Sequence, residues 1–151
     1  MTQVFPLAPA DSWAGWLLFF VIIVPVSAIC AYLAMAPRLT RLEVSPGLLR
    51  IRGDLFYGRT IAIQDLRLEQ AHRVDLGSSP DYRLTLRTNG TGAPGYKAGW
   101  FRTAAGHKAL AFVRNSKDVV VIPHRKDYVL ILNPADPAGF LDALRQASVS
   151  R

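Results

Sequence analysis

Tyr128–Leu144 reads YVLILNPADPAGFLDAL. Tyr128 to Leu132 form an apolar β-run, and Asn133-Pro134-Ala135-Asp136-Pro137 ends it. Asp136 suits the N-cap of a following helix and Pro137 its first position, where a missing N–H costs nothing. Phe140, Leu141, Leu144 and Ala147 then recur at helical spacing and give one apolar face. The spacing predicts a last strand followed by a single amphipathic C-terminal helix.

Upstream, the chain is a series of short β-like runs broken by Gly, Pro, Asn and Asp. They are Leu39–Val44 (LTRLEV), Leu48–Arg52 (LLRIR), Arg59–Ile63 (RTIAI), a weaker extended stretch in Leu66–Leu76, Tyr82–Thr88 (YRLTLRT), Trp100–Arg102, Ala109–Val113 and Val119–Ile122. Turns are predicted at Pro46-Gly47, Gly53-Asp54, Asn115-Ser116 and Arg125 to Asp127, and residues 89–99 read as a Gly-rich loop. The fold class predicted is α+β, mainly β: a curved sheet or barrel of about seven strands, plugged at one end by the C-terminal helix.

The first part of the chain has another character. Trp13 to Ala36, WAGWLLFFVIIVPVSAICAYLAMA, carries no charge. A helix of this length spans about 36 Å, against a bilayer core of about 30 Å. Asp11 and Ser12 can cap its first turn, Trp13, Trp16 and Tyr32 sit where interfacial rings are favoured, and Pro25 is tolerated in a membrane helix. A cleaved signal peptide is the weaker reading despite Ala34-Met35-Ala36, because residues 1–12 lack Lys and Arg and the apolar run is too long. The organisation expected is a short extracytoplasmic segment (1–12), a transmembrane helix (13–36) and one domain (37–151).

Of 151 residues, 50% are apolar and 19% charged, with mean hydropathy +0.18, which excludes a disordered chain, a collagen-like chain and a disulfide scaffold. All 18 basic residues and 10 of the 11 acids follow Ala36, so the C-terminal part has a balance of +8. Arg38, Arg41, Arg50 and Arg52 follow the apolar run closely, and the positive-inside rule then places the N-terminus outside and the domain in the cytoplasm. With no long linker after the run, the domain is expected close to the bilayer. The single Cys30 lies in the run and cannot pair within the chain.

Arg87–Arg102, RTNGTGAPGYKAGWFR, resembles the signature of the bacterial PH-like (pleckstrin-homology-like) domain family. Leu48–Ile63 resembles that family's early hairpin, and Lys108–Val121 and Tyr128–Leu144 its late strands and closing helix, so the likeness spans roughly residues 37–147. It implies a PH-like fold in a membrane-proximal setting, and with the orientation read above the expected location is the bacterial inner membrane. It implies no reaction, since fold alone does not fix function.

The residues themselves support no catalytic site. Gly90-Thr91-Gly92-Ala93-Pro94-Gly95 matches G-x-G-x-x-G by letter, but a strand follows it rather than a helix. His72, His107 and His124 have no partner at metal-ligand spacing, and no nucleophile elbow is present. No cofactor or metal is expected, and the absence of an aromatic-basic platform argues against nucleic acid. The expected activity is non-enzymatic binding or scaffolding of a protein partner, a second copy of the chain included. The alternative is recognition of anionic lipid headgroups, which attract basic residues at about 1 kcal/mol each near the surface. The candidate contact residues are Arg50, Arg52, Asn89, Tyr96, Lys97, Trp100 and Arg102.

Overall fold

In the computed structural model, residues 13–52 and 57–149 are described. The expected cap at Asp11 and Ser12, the segment 1–12 and most of the Gly53-Asp54 turn region lie outside them. The chain divides into two units, Met1–Met35 and Ala36–Arg151.

The first unit holds most of helix α1 (Trp13–Leu39). Its large apolar side chains are exposed on all sides, from 43% at Ile23 to 68% at Trp13. Within it, Gly15–Tyr32 is long and apolar enough to cross a membrane.

The second unit contains nine strands among the described residues. Strands β1 (Arg41–Ser45), β2 (Leu48–Arg52) and β3 (Arg59–Ala62) form an antiparallel sheet. Two short 3-10 turns then lead to β4 (His72–Val74), and the weak stretch predicted over Leu66–Leu76 reduces to this three-residue strand. Strands β5 (Leu84–Ala93), β6 (Tyr96–Thr103), β7 (Lys108–Val113), β8 (Val119–His124) and β9 (Tyr128–Leu132) join β4 in a second sheet ordered β4-β8-β9-β7-β6-β5. Strand β9 inserts between β8 and β7 and runs parallel to β7, while every other pairing is antiparallel. Asn133 secures the crossover, because its side chain accepts from the Asn115 N–H and donates to the Lys117 carbonyl.

The central strands are apolar without alternation because both faces are covered. On one face, Phe101, Ala109, Ala111, Val113, Val119, Val121 and Ile131 meet Leu76, with Tyr82 and Leu84 packed over them. Alternate residues point the other way. Leu110, Phe112, Val120, Ile122, Leu130 and Leu132 are buried there, and Leu49, Ile51 and Ile61 of the small sheet are buried as well. Helix α2 (Pro137–Val149) closes this side with Phe140, Leu141 and Leu144. Its start is the predicted one: Asp136 Oδ1 accepts the Gly139 N–H at 3.0 Å, and its carbonyl accepts the Phe140 N–H. Burying the three apolar side chains contributes about 1.5–3 kcal/mol each.

The Gly-rich stretch corrects the sequence reading. Residues 89–99 are not a loop but two paired strands joined by a tight turn at Pro94-Gly95. Glycine is needed where those strands touch. A Cβ on Gly90 would lie 2.6 Å from the Ala98 carbonyl, and one on Gly99 would lie 2.6 Å from the Gly90 Cα. Gly99 also has φ of 112°, which side chains rarely adopt. A turn-rich composition thus serves close backbone approach inside a hairpin.

Candidate functional site: a basic aromatic cleft

The register of the large sheet assembles a site that no single motif encodes. Cross-strand partners share a face. His124 pairs with Tyr128, Tyr128 with Lys108, Lys108 with Arg102, and Leu110 with Trp100. Four strands therefore bring His124, Tyr128, Lys108, Arg102 and Trp100 to one side, and Arg59 at the start of β3 reaches over them.

Trp100 is half-buried at the centre. Lys108 Nζ lies 4.4 Å from its ring centroid and the Arg59 guanidinium 5.4 Å from it. Each such contact contributes about 0.5–1 kcal/mol at an exposed site. Tyr128 meets the ring edge-on at 5.1 Å, and His124 stacks on Tyr128 at 4.2 Å. Among the described residues no carboxylate pairs with Arg59, Arg102 or Lys108, whereas Arg52–Glu43, Arg73–Asp118 and Arg145–Asp142 do form ion pairs. Thr88, Asn89, Trp100, Arg102 and Lys108 line an open cleft of about 480 Å³.

Strand β5 forms the rim and is irregular. Its register against β6 shifts at Thr85 and again at Thr88. Both hydroxyls then donate to β6 carbonyls, Thr85 to Arg102 and Thr88 to Trp100, each at 3.1 Å. Tyr57 Oη donates to Asn89 Oδ1 at 3.2 Å and holds that amide over the cleft. Leu86 stands 58% exposed opposite Arg102.

Burial sets the proton chemistry of the stacked His124–Tyr128 pair beside the cleft. It holds His124 below the usual imidazole value; nearby Asp65 opposes this and Lys126 adds to it. His124 Nδ1 accepts the Lys126 backbone N–H at 3.0 Å, so this nitrogen carries no proton. Burial likewise raises the Tyr128 phenol, with Arg59 opposing. Among the described residues no cluster of His, Cys, Asp or Glu could hold a metal ion.

Of the seven residues singled out from sequence, Asn89, Trp100 and Arg102 meet in this cleft. Lys97 lies on the opposite face of the large sheet, beside Leu76 and Val113. Tyr96 is buried, and its hydroxyl shares a 2.8 Å hydrogen bond with Thr40. Arg50 and Arg52 project from the outer face of the small sheet, with Arg52 Nε 3.2 Å from Glu43. Sequence reasoning missed Lys108, Tyr128 and His124 as site residues and did not place Arg59 there. Each stands at a strand end, and only the parallel β7–β9 pairing puts Lys108 beside Tyr128.

The order of elements agrees with the comparisons. No curated protein and no solved structure matches the chain. The family model for the bacterial PH domain matches residues 70–148, from the strand before the cleft to the end of α2, which is just over half of the sequence. Early hairpin β1–β3 falls outside the match and completes the PH-like architecture. With nine strands in two sheets closed by a C-terminal helix among the described residues, the chain belongs to the bacterial PH domain family.

Proposed function

We infer that this chain is a single-pass protein of the bacterial inner membrane. Helix α1 is the anchor, and the PH-like domain faces the cytoplasm as a non-enzymatic module that binds a protein partner. The observation that carries the reading is the Trp100 cleft. A half-buried tryptophan held between Lys108 and Arg59, with Arg102 beside it and no carboxylate among the four, suits an acidic segment of a partner. Strand β5 supplies an open rim of ten residues with exposed Leu86. Its two bulges oppose flat pairing with a second copy of the same edge, which favours a different protein over self-association. A lipid headgroup site built from Arg50, Arg52, Lys97 and Arg102 is less favoured, because these residues project from three separate surfaces.

The test is photo-crosslinking of the full chain in its native membrane. A photoreactive residue at Leu86 is expected to give one discrete protein adduct, and one at exposed Lys117 none. Trp100→Ala is expected to weaken the Leu86 adduct about tenfold or more, the scale of an interface anchor. Equal adducts at Leu86 and Lys117, or an adduct indifferent to Trp100→Ala, would contradict the reading.

A further inference from the structure

Strand β5 ends the six-stranded sheet and, among the described residues, pairs with β6 alone. An edge of ten residues offers unpaired backbone groups to another chain unless something blunts it. Both register shifts of β5 fall before Asn89, and residues 89–93 pair evenly up to the turn. In an antiparallel ladder, residues bonded to the neighbouring strand alternate with residues whose N–H and C=O point away from it. The two-residue turn makes Ala93–Tyr96 a bonded pair, so Gly90 and Gly92 carry the outward groups. Neither has a side chain to shield them. Gly90 is required inside the hairpin, where a Cβ would strike the Ala98 carbonyl. Gly92 is not, since a Cβ there would meet only Arg87 Nη1, at 3.9 Å. A strand glycine with so open a surrounding suits the close approach of another backbone.

Charge names the partner of that edge. Arg87 pairs across the strands with Phe101, and Lys97 with both Gly92 and Val113, so both cations lie on the Leu76 side of the sheet. They converge at Gly92, the cross-strand partner of Lys97 and the residue beside the Arg87 guanidinium. Both are exposed, and among the described residues no carboxylate pairs with either. Arg102 and Lys108, beside Trp100, give the other side of the sheet a matching pair. Successive side chains of a strand point to opposite faces. A strand laid along β5 therefore sends its side chains alternately toward the two pairs of cations. An acidic segment confined to the Trp100 cleft would leave Arg87 and Lys97 unmet. We propose that the partner's acidic segment, whose binding at Trp100 is the reading on which this inference rests, is a run of consecutive carboxylates that pairs as an added strand with residues 89–93 of β5.

The experiment is photo-crosslinking of the full chain in its native membrane from a photoreactive residue at Leu86, with the adduct mapped by mass spectrometry. The adduct is expected on or beside a run of acidic residues in a protein. Gly92→Pro removes an outward N–H at an edge position, where proline is tolerated, and should lower the adduct yield about tenfold. Gly92→Ala keeps that N–H and should leave the yield unchanged. Arg87→Gln and Lys97→Gln, on the side away from Trp100, should each lower it about threefold. Hydrogen exchange of the β6 and β7 amides is measured in every variant and should match the parent chain, so that a loss of adduct reports docking rather than folding. Should Gly92→Pro alter that exchange, the two charge variants decide. A yield that falls with Trp100→Ala but not with Gly92→Pro, Arg87→Gln or Lys97→Gln would overturn the added strand and keep the cleft. Equal losses in Gly92→Ala and Gly92→Pro would overturn the backbone pairing, and an adduct far from any acidic run would overturn the partner's chemistry. A lipid adduct, no adduct, or indifference to Trp100→Ala brings down the cleft and the strand together.

Discussion

Helices α1 and α2 solve opposite problems. Helix α2 has one apolar stripe, Phe140, Leu141 and Leu144, and buries it, while Asp142 and Arg145 face water. Helix α1 is apolar around its whole circumference and buries none of its Gly15–Tyr32 span in protein. A helix with one apolar stripe needs a protein partner, and its packing against the sheet supplies one. A helix apolar all round needs an apolar solvent. The contrast shows why the same side-chain types stabilise the fold in one segment and, in the other, suit the proposed membrane anchor.

The largest expected effect breaks the α2 side of this contrast. Leu144 is fully buried, so Leu144→Ala should cost the domain about 2–5 kcal/mol, measured by hydrogen exchange of residues 40–149 in the full chain in detergent. Leu18→Ala on α1 should leave that exchange unchanged, since Leu18 is 59% exposed. Next comes the reverse lesion. Ile22→Arg, near the middle of the apolar span, should cost about 2.5–3.5 kcal/mol of insertion and move the chain out of the alkali-resistant membrane fraction, with domain exchange unaltered.

A smaller loss is expected at the hairpin. Gly99→Ala meets both an unfavourable φ and the Gly90 backbone, and should destabilise the domain by about 1–3 kcal/mol with the cleft rim most exposed to exchange. Asp136→Ala removes the α2 cap and should cost about 1 kcal/mol, with Asp136→Ser recovering most of it, read from the exchange of the Gly139 amide.

The finest probe is pH. Burial holds His124 below its ordinary value of 6.5, so as pH falls the unfolded chain takes up this proton first. Stability should be full above pH 6.5, decline as pH drops from there toward the lower native pKa, and level off beneath it. His124→Phe should flatten that window while keeping a ring against Tyr128; an unchanged pH profile of the thermal midpoint would show that another group is responsible.

Much of the architecture was legible because it rests on local rules. The period change after Leu132, the Asp136-Pro137 start signal and the charge-free run from Trp13 to Ala36 each depend on neighbours in sequence. The Gly90–Gly99 hairpin was misread because glycine marks both a turn and a close strand contact, and only pairing tells them apart. The cleft was half legible. Trp100, Arg102 and Asn89 sit in one conspicuous stretch, but Lys108, Tyr128 and Arg59 join them through register and through a parallel pairing that composition does not encode. Tyr96 and Lys97, adjacent to each other, fall on opposite sides of β6, as the period of two along a strand requires.

The central claim is that α1 lives in the bilayer and leaves the binding domain in the cytoplasm. Its most direct test is maleimide labelling of Ser148→Cys, an exposed position near the end of α2, in intact cells and in lysed ones. The single native Cys30 lies within the proposed span, so it should stay unreactive in both. The account predicts that Ser148→Cys is protected from a membrane-impermeant reagent in intact cells and reacts after lysis. Reaction of Ser148→Cys in intact cells would contradict it.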